Sequence, residues 1–173
     1  MSMNFFKRIF LTAMFLGIFL SFEIVDEARG EGAAAFGQVS SEYRKECGAC
    51  HLAYQPQFLP QRSWEKILST LDTHFGDNAA LDEATRAEIL GYVIKNSADK
   101  SSSKVSRKML ASLGSTETPL RISETPYFKR KHREVKPEIF KRKSIGSPAN
   151  CAGCHIAADK GDYDEDKVKI PKD

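Results

Sequence analysis

Apolar residues recur at helical spacing in the first half of the chain. In residues 63–76 they lie three and four positions apart, the spacing of an amphipathic helix: Trp64, Ile67, Leu68 and Leu71. Ser63 suits the N-cap of this helix, and Gly76 suits the left-handed position after its last turn. Continuing the apolar stripe by one turn reaches His74 and Phe75. The pattern therefore places His74 on the buried face of the last turn.

Two more helices are predicted on either side of this one. Ser40 or Ser41 can cap a first helix, and a third helix begins near Asp82. Residues 87–94 give the third helix a wide apolar stripe. Gly91 lies inside the stripe, where a glycine costs about 1 kcal/mol relative to alanine. Either another helix crosses closely at Gly91, or the glycine occupies a tolerant surface position.

The second half of the chain follows a different pattern. Residues 97–118 are rich in Ser, Lys and Thr, which is typical of a linker, with a short helical stretch over 105–113. Prolines then recur too often for long helices: Pro119, Pro126, Pro137 and Pro148. We predict a mainly α protein with a first domain over residues 31–98, a linker over 99–118 and a small, largely irregular second domain over 119–173.

The N-terminus has the features of a secretory signal peptide. Lys7 and Arg8 precede an apolar run over residues 9–22, and acidic and then small residues follow. The run is shorter than the ~20 residues that cross a bilayer, which argues against a retained membrane anchor. We predict a signal peptide over residues 1–30, a periplasmic location, and no stable membrane insertion after cleavage.

All four cysteines lie in two Cys-x-x-Cys-His motifs, at 47–51 and 151–155. This spacing is typical of c-type haem attachment, because two thiols can add to the two vinyl groups of one porphyrin while the adjoining imidazole reaches the iron. The halves of a zinc ribbon are usually roughly 15–20 residues apart, but here about a hundred intervene. A disulfide or a thioredoxin-like pair needs no histidine. We predict two haem c groups, attached through Cys47, Cys50, Cys151 and Cys154.

The supply of axial ligands is small. His51 and His155 belong to the motifs, His74 and His132 are the other two histidines, and Met109 is the only methionine beyond the leader. Two sites and two spare imidazoles predict two low-spin, bis-histidine irons with no vacant position for oxygen, peroxide or a substrate. This favours an electron carrier over an enzyme. If His132 were free, the second iron would take Met109, a lysine or water.

A run of basic residues surrounds His132. Tyr127, Phe128 and Phe140 flank the run and could form apolar walls around a porphyrin. The basic side chains could pair with haem propionates or steer an acidic partner, and the alternative is a solvated surface. They are Lys129, Arg130, Lys131, Arg133, Lys136, Lys141, Arg142 and Lys143. With a formal net charge of +3 on an exported chain, nucleic acid is not an expected partner.

Five segments, taken in order, resemble the bacterial dihaem cytochrome c family. They are Cys-Gly-Ala-Cys-His-Leu-Ala-Tyr from Cys47, Leu-Pro-Gln-Arg-Ser-Trp from Leu59, His-Phe-Gly-Asp-Asn-Ala from His74, Thr-Pro-Tyr-Phe-Lys-Arg-Lys-His from Thr125, and Ala-Asn-Cys-Ala-Gly-Cys-His from Ala149. The similarity extends over residues 42–171 and includes the order of the four histidines.

The resemblance implies a two-domain, mainly helical protein whose N-terminal half is similar to a class I cytochrome c. It also implies two bis-histidine haems close enough to exchange electrons. By position, His51 and His74 would hold the first iron, and His155 and His132 the second. Residue counting alone does not pair His132 with a particular haem. Two imidazoles favour a lower potential than His/Met ligation.

Members of the family are electron carriers. Some serve a small monohaem protein that binds oxygen, and others stand near membrane b-type cytochromes, so the resemblance implies a redox protein as partner. Two other function classes compete with this one. A peroxidase-like dihaem enzyme needs an iron that can open a coordination position, and a haem-based redox or gas sensor needs ligand exchange, for which His132 is the candidate.

Overall fold

The computed structural model describes Phe36 and residues 39–173, so the predicted signal peptide lies outside the described residues. The described part contains helices joined by short 3-10 turns and no β-strand, which confirms the mainly α prediction. None of its helices is long and apolar enough to cross a membrane. The helices are α1 (Ser41–Cys47), α2 (Gln61–Leu68), α3 (Glu83–Lys95), α4 (Lys104–Ala111), α5 (Pro126–Lys131) and α6 (Pro137–Phe140).

Helix α1 leads directly into the first cysteine motif. The Ser40 side chain accepts a hydrogen bond from the backbone N–H of Tyr43, which confirms the predicted cap. Tyr43 is 2% exposed and anchors the helix in the core. The helix ends at Cys47, so its packing determines where the first motif lies.

Helix α2 begins earlier than the sequence pattern predicts. Its N-cap is Pro60, and Gln61 and Ser63 both lie inside the helix, with Ser63 fully buried. The predicted Ser63 cap is therefore wrong. The fixed φ of proline suits the entry to a helix, and this backbone preference places the start three residues before the position expected from the serine.

The same helix also ends sooner than predicted. The hydroxyl groups of Ser69 and Thr70 donate to the Lys66 carbonyl oxygen at 2.8 and 3.0 Å. Such bonds from a side chain to the helix backbone compete with continuation of the helix. A 3-10 turn, Leu71–Thr73, follows, and His74 comes directly after that turn. The prediction that His74 lies in the last turn of a long helix is wrong.

Helix α3 begins as predicted, with the Asp82 carboxylate accepting from the Thr85 N–H at 3.0 Å. It packs against α2 and α1. The Trp64 indole lies in this core and donates to the Pro56 carbonyl oxygen at 2.9 Å. The first apolar cluster consists of Val39, Tyr43, Ala53, Leu59, Trp64, Ile67, Leu68, Leu71, Ile89 and Val93.

A second apolar cluster draws on three separate parts of the chain. Phe36 and Phe58 come from the first part, Met109 from α4 within the predicted linker, and Tyr127 from α5. Met109 is 1% exposed, and the Ser106 hydroxyl ties α4 to the carbonyl oxygen of Gln57 at 3.0 Å. The predicted domain boundaries stay a prediction, but α4 is packed against both neighbouring parts.

Gly91 lies on the exposed side of α3. A Cβ built at this position meets no atom within 4 Å, so the interpretation that another helix crosses closely there is wrong. The glycine therefore costs backbone entropy with no packing gain.

We predict that Gly91→Ala stabilises the protein by about 0.5–1 kcal/mol, because alanine restricts the unfolded chain and suits a helix. Guanidinium unfolding of the oxidised protein, with equal haem loading, measures the change. Gly161→Ala is the contrasting variant: Gly161 has φ +76°, and a Cβ there would lie 2.8 Å from the Cβ and carbonyl oxygen of Phe36. It should lose stability. A fall in stability for Gly91→Ala would contradict the assignment of an open surface position.

Candidate haem sites

The first site brings together His51 from the first cysteine motif and His74 from the turn after α2. Their imidazole ring centroids are 6.2 Å apart, and the ring planes are inclined by 22°. His74 is followed by two residues in the left-handed region, Phe75 at φ +54° and Gly76 at φ +104°. A bulky residue rarely adopts this conformation. The chain therefore reverses sharply just after His74.

The second site brings together His132 and His155. Their ring centroids are also 6.2 Å apart, but the ring planes are inclined by 77°. His132 is the C-cap residue of α5, and its Nδ1 lies 3.0 Å from the carbonyl oxygen of Phe128. The second cysteine motif begins in the 3-10 turn Cys151–Gly153, and His155 ends the motif two residues after that turn.

Both ring separations fit a metal held between two imidazoles. A metal–nitrogen bond of about 2.0 Å, plus about 1.1 Å from the nitrogen to the ring centroid, places two opposed centroids about 6.2 Å apart. The Nδ1 of His155 is buried and has no hydrogen-bond partner among the described residues. Among the described residues, no cluster of three or more His, Cys, Asp or Glu side chains could hold a metal ion. The arrangement suits an iron that a porphyrin also ligates.

The second site opens into an apolar cavity whose lining suits a porphyrin. Tyr127, Phe128 and Phe140 line it, as the sequence predicts, together with Met109 and Ile145. The same cavity is bordered by both cysteines and both histidines of the site: Cys151, Cys154, His132 and His155. A large, flat, apolar cofactor would fill this space and remove the lining side chains from water.

Arg121 lies beside the first site, and the sequence pattern did not identify it. Its guanidinium stands 3.8 Å from the centroid of the Phe75 ring, and that ring is 4.7 Å from the ring of His74. Arg121 also pairs with Glu124 at 3.4 Å. It is 46 residues from Phe75 in sequence, so no local pattern signals the contact.

Burial favours the uncharged forms of several donor groups at the two sites. Burial lowers the pKa of His74, His132 and His155, and the neutral imidazole is the form that binds a metal. Burial also raises the pKa of Cys47 and of Cys151 to about 11, so that both thiols are protonated at neutral pH. Uncharged donors suit an apolar environment, where an unpaired charge would be costly.

The family of this chain follows from comparison with known proteins. A family model described as dihaem cytochrome c matches residues 43–163. The chain belongs to the dihaem cytochrome c family. As a member, it is a haem-based electron-transfer protein with two c-type haems.

Solved structures of dihaem cytochromes c are similar in sequence and fold. A diheme cytochrome c from Rhodobacter sphaeroides is 44% identical, with a TM-score of 0.66, and the match covers 73% of this chain and all of that one. The diheme cytochrome c from Shewanella baltica OS155 is 36% identical, with a TM-score of 0.63, covering 76% of this chain and 92% of that one. Comparison with curated protein sequences gives no significant match.

Each cysteine pair should carry one of the two haems. We predict that Cys47→Ser with Cys50→Ser removes one covalent haem, and that Cys151→Ser with Cys154→Ser removes the other, because serine forms no thioether. Intact-protein mass spectrometry and the pyridine haemochrome absorbance per chain count the haems. Met109→Leu, in the wall of the second cavity, should keep both. Two covalent haems in either serine variant would refute the assignment of the attachment sites.

Proposed function

We propose that this protein is an exported carrier of single electrons in which two imidazoles hold each haem iron. His51 and His74 would ligate the first iron, and His155 and His132 the second. The observation that carries the proposal is the matching 6.2 Å ring separation beside each cysteine motif. Each haem, when bound, supplies one-electron chemistry by cycling its iron between the ferrous and ferric states.

Backbone carbonyl groups support the proposed ligand set. The Nδ1 atoms of His51 and His132 lie 2.7 Å and 3.0 Å from the carbonyl oxygens of Leu52 and Phe128. A proton on Nδ1 donates to the carbonyl and leaves the lone pair on Nε2 for the metal. The same bond restrains the rotation of the ring. The protein thus selects both the tautomer and the orientation of these two imidazoles.

Full ligation argues for a carrier and against an enzyme. Peroxide or oxygen chemistry requires a coordination position that can open, and two histidines per iron leave none. Met109 is the alternative ligand at the second site, since it also lines that cavity. The 6.2 Å separation of the His132 and His155 rings supports His132 instead.

The proposed partner is an acidic redox protein that docks near the second haem. Exposed basic side chains surround this site and would attract it: Lys129, Arg130, Arg133, Lys136, Lys141 and Lys143. A small oxygen-binding monohaem cytochrome and a membrane b-type cytochrome are the two candidates. With an exported chain, the meeting place would be the periplasm.

Removing one proposed ligand should open one iron. We predict that His74→Ala and His132→Ala each convert one of the two haems to a high-spin form that binds carbon monoxide, because no second imidazole remains nearby. Absorption and magnetic circular dichroism spectra of the purified protein measure this. Met109→Leu should stay low-spin at both irons. A high-spin signal in Met109→Leu, with none in His132→Ala, would assign the second ligand to the methionine.

Reversing charge beside the second site should slow electron exchange with an acidic partner. We predict that Lys129→Glu with Lys136→Glu lowers the second-order rate about two- to tenfold at low salt, and that the difference shrinks as salt rises. Stopped-flow absorption with an acidic flavodoxin as the probe measures the rate. Lys95→Glu with Lys66→Glu changes the net charge equally on the first part of the chain and should have a smaller effect. Equal effects of the two pairs would exclude a localised docking surface.

A further inference from the structure

One tyrosine contacts both haem sites. Tyr54 lies three residues after His51, and its ring stacks on the His51 imidazole with centroids 5.0 Å apart and planes inclined by 20°. Its hydroxyl donates to the carbonyl oxygen of Ala149 at 2.8 Å, two residues before Cys151. A single side chain therefore spans from a proposed iron ligand at the first site to the attachment segment of the second.

A hydrogen bond from helix α1 holds the backbone of Tyr54. The hydroxyl of Tyr43, which is 2% exposed in α1, donates to the carbonyl oxygen of Tyr54 at 2.7 Å. Two tyrosine hydrogen bonds thus connect α1 to residue 54, and residue 54 to Ala149. Since α1 also holds Cys47, this series runs from one attachment segment to the other.

The next residue makes a second connection in the same direction. Gln55 is 1% exposed; its Nε2 donates to the carbonyl oxygen of Ala158 at 2.8 Å, and its Oε1 accepts from the Tyr163 hydroxyl. The ring of Tyr163 lies 5.3 Å from that of His155. Buried polar groups with satisfied partners restrict a contact to one geometry. Residues 54 and 55 together attach the first motif to both flanks of the second.

The Tyr54 hydroxyl keeps its proton under ordinary conditions. The pKa of Tyr54 is raised to about 12, and burial is the main cause. The phenol can therefore donate to Ala149 throughout the neutral range. The direction of this hydrogen bond does not change with physiological pH.

We propose that Tyr54 is the positioning residue that fixes the first haem site against the second and so determines the rate at which the two haems exchange an electron. The role in electron exchange rests on the proposed function, whereas the positioning role does not. The hydroxyl would hold the Ala149 segment, and the ring would hold the His51 imidazole. Small displacements of reacting groups have large effects on rate, which is why a single contact at this place matters.

Three variants of the full, haem-loaded protein test this. Tyr54→Phe removes only the hydrogen bond to Ala149, and Tyr54→Leu also removes the ring stacked on His51. Tyr92→Phe is the matched control: its hydroxyl interacts with the Ser40 backbone, and its ring lies 5.5 Å from that of Tyr43, within the first core. The control loses a comparable tyrosine hydroxyl that does not connect the two sites.

Two measurements separate positioning from electron exchange. The magnetic interaction between the two ferric haems, from electron paramagnetic resonance, reports their relative placement without any electron transfer. Rapid photoreduction of the half-reduced protein gives the internal exchange rate, and a redox titration gives both midpoint potentials. We expect exchange to slow about threefold in Tyr54→Phe and about tenfold or more in Tyr54→Leu, with an altered magnetic interaction in Tyr54→Leu and unchanged potentials. Tyr92→Phe should match the wild type in all three.

The exchange rates and magnetic interactions of the Tyr54 variants decide whether Tyr54 is a positioning residue. An unchanged rate and magnetic interaction in both Tyr54 variants would overturn the proposal. If Tyr54→Leu fails to mature, Tyr54→Phe decides alone, and a wild-type rate there counts against it. A slower rate that follows from shifted potentials would assign Tyr54 a tuning role and also overturn positioning. If the wild type shows no internal exchange while Tyr54→Leu alters the magnetic interaction, the relay function fails and the positioning role stands.

Discussion

On the proposed ligation, each iron is held between two imidazoles, which accept only a narrow range of ring separations. Two pairs of histidines have such a separation, 6.2 Å in each case, and each pair joins a motif histidine to a histidine from another part of the chain. The two distant histidines are placed differently. Consecutive left-handed residues follow His74, whereas His132 caps the end of a short helix. Unrelated local structures thus satisfy the same distance requirement.

The packing of the chain reflects its small size. A short domain buries little apolar surface on folding and is therefore only marginally stable. A bound porphyrin would add a large apolar body to its core. Side chains from three separated segments form one apolar cluster beside the second site: Phe36, Met109 and Tyr127. Helix α4 contributes Met109 despite the polar composition of the segment around it.

Local chemistry made much of the structure predictable. Serine and aspartate caps located the starts of α1 and α3, whereas the attachment segments inferred from the cysteine spacing stay a prediction. The predicted end of α2 is wrong. The pattern of apolar residues does not reveal that the Ser69 and Thr70 hydroxyls donate to the Lys66 carbonyl oxygen. Tyr54 and Arg121 were missed for a different reason. Their decisive contacts join residues far apart in sequence, and no period or motif in one segment encodes them.

The different tilts of the two imidazole pairs have an electronic consequence. On the proposed ligation, nearly parallel rings at the first iron, inclined by 22°, would split its two dπ orbitals strongly. Rings inclined by 77° at the second iron would leave the same orbitals close to degenerate. The unpaired electron of each ferric ion would then occupy a differently shaped orbital. The fold would thereby give two chemically identical cofactors distinct electronic ground states.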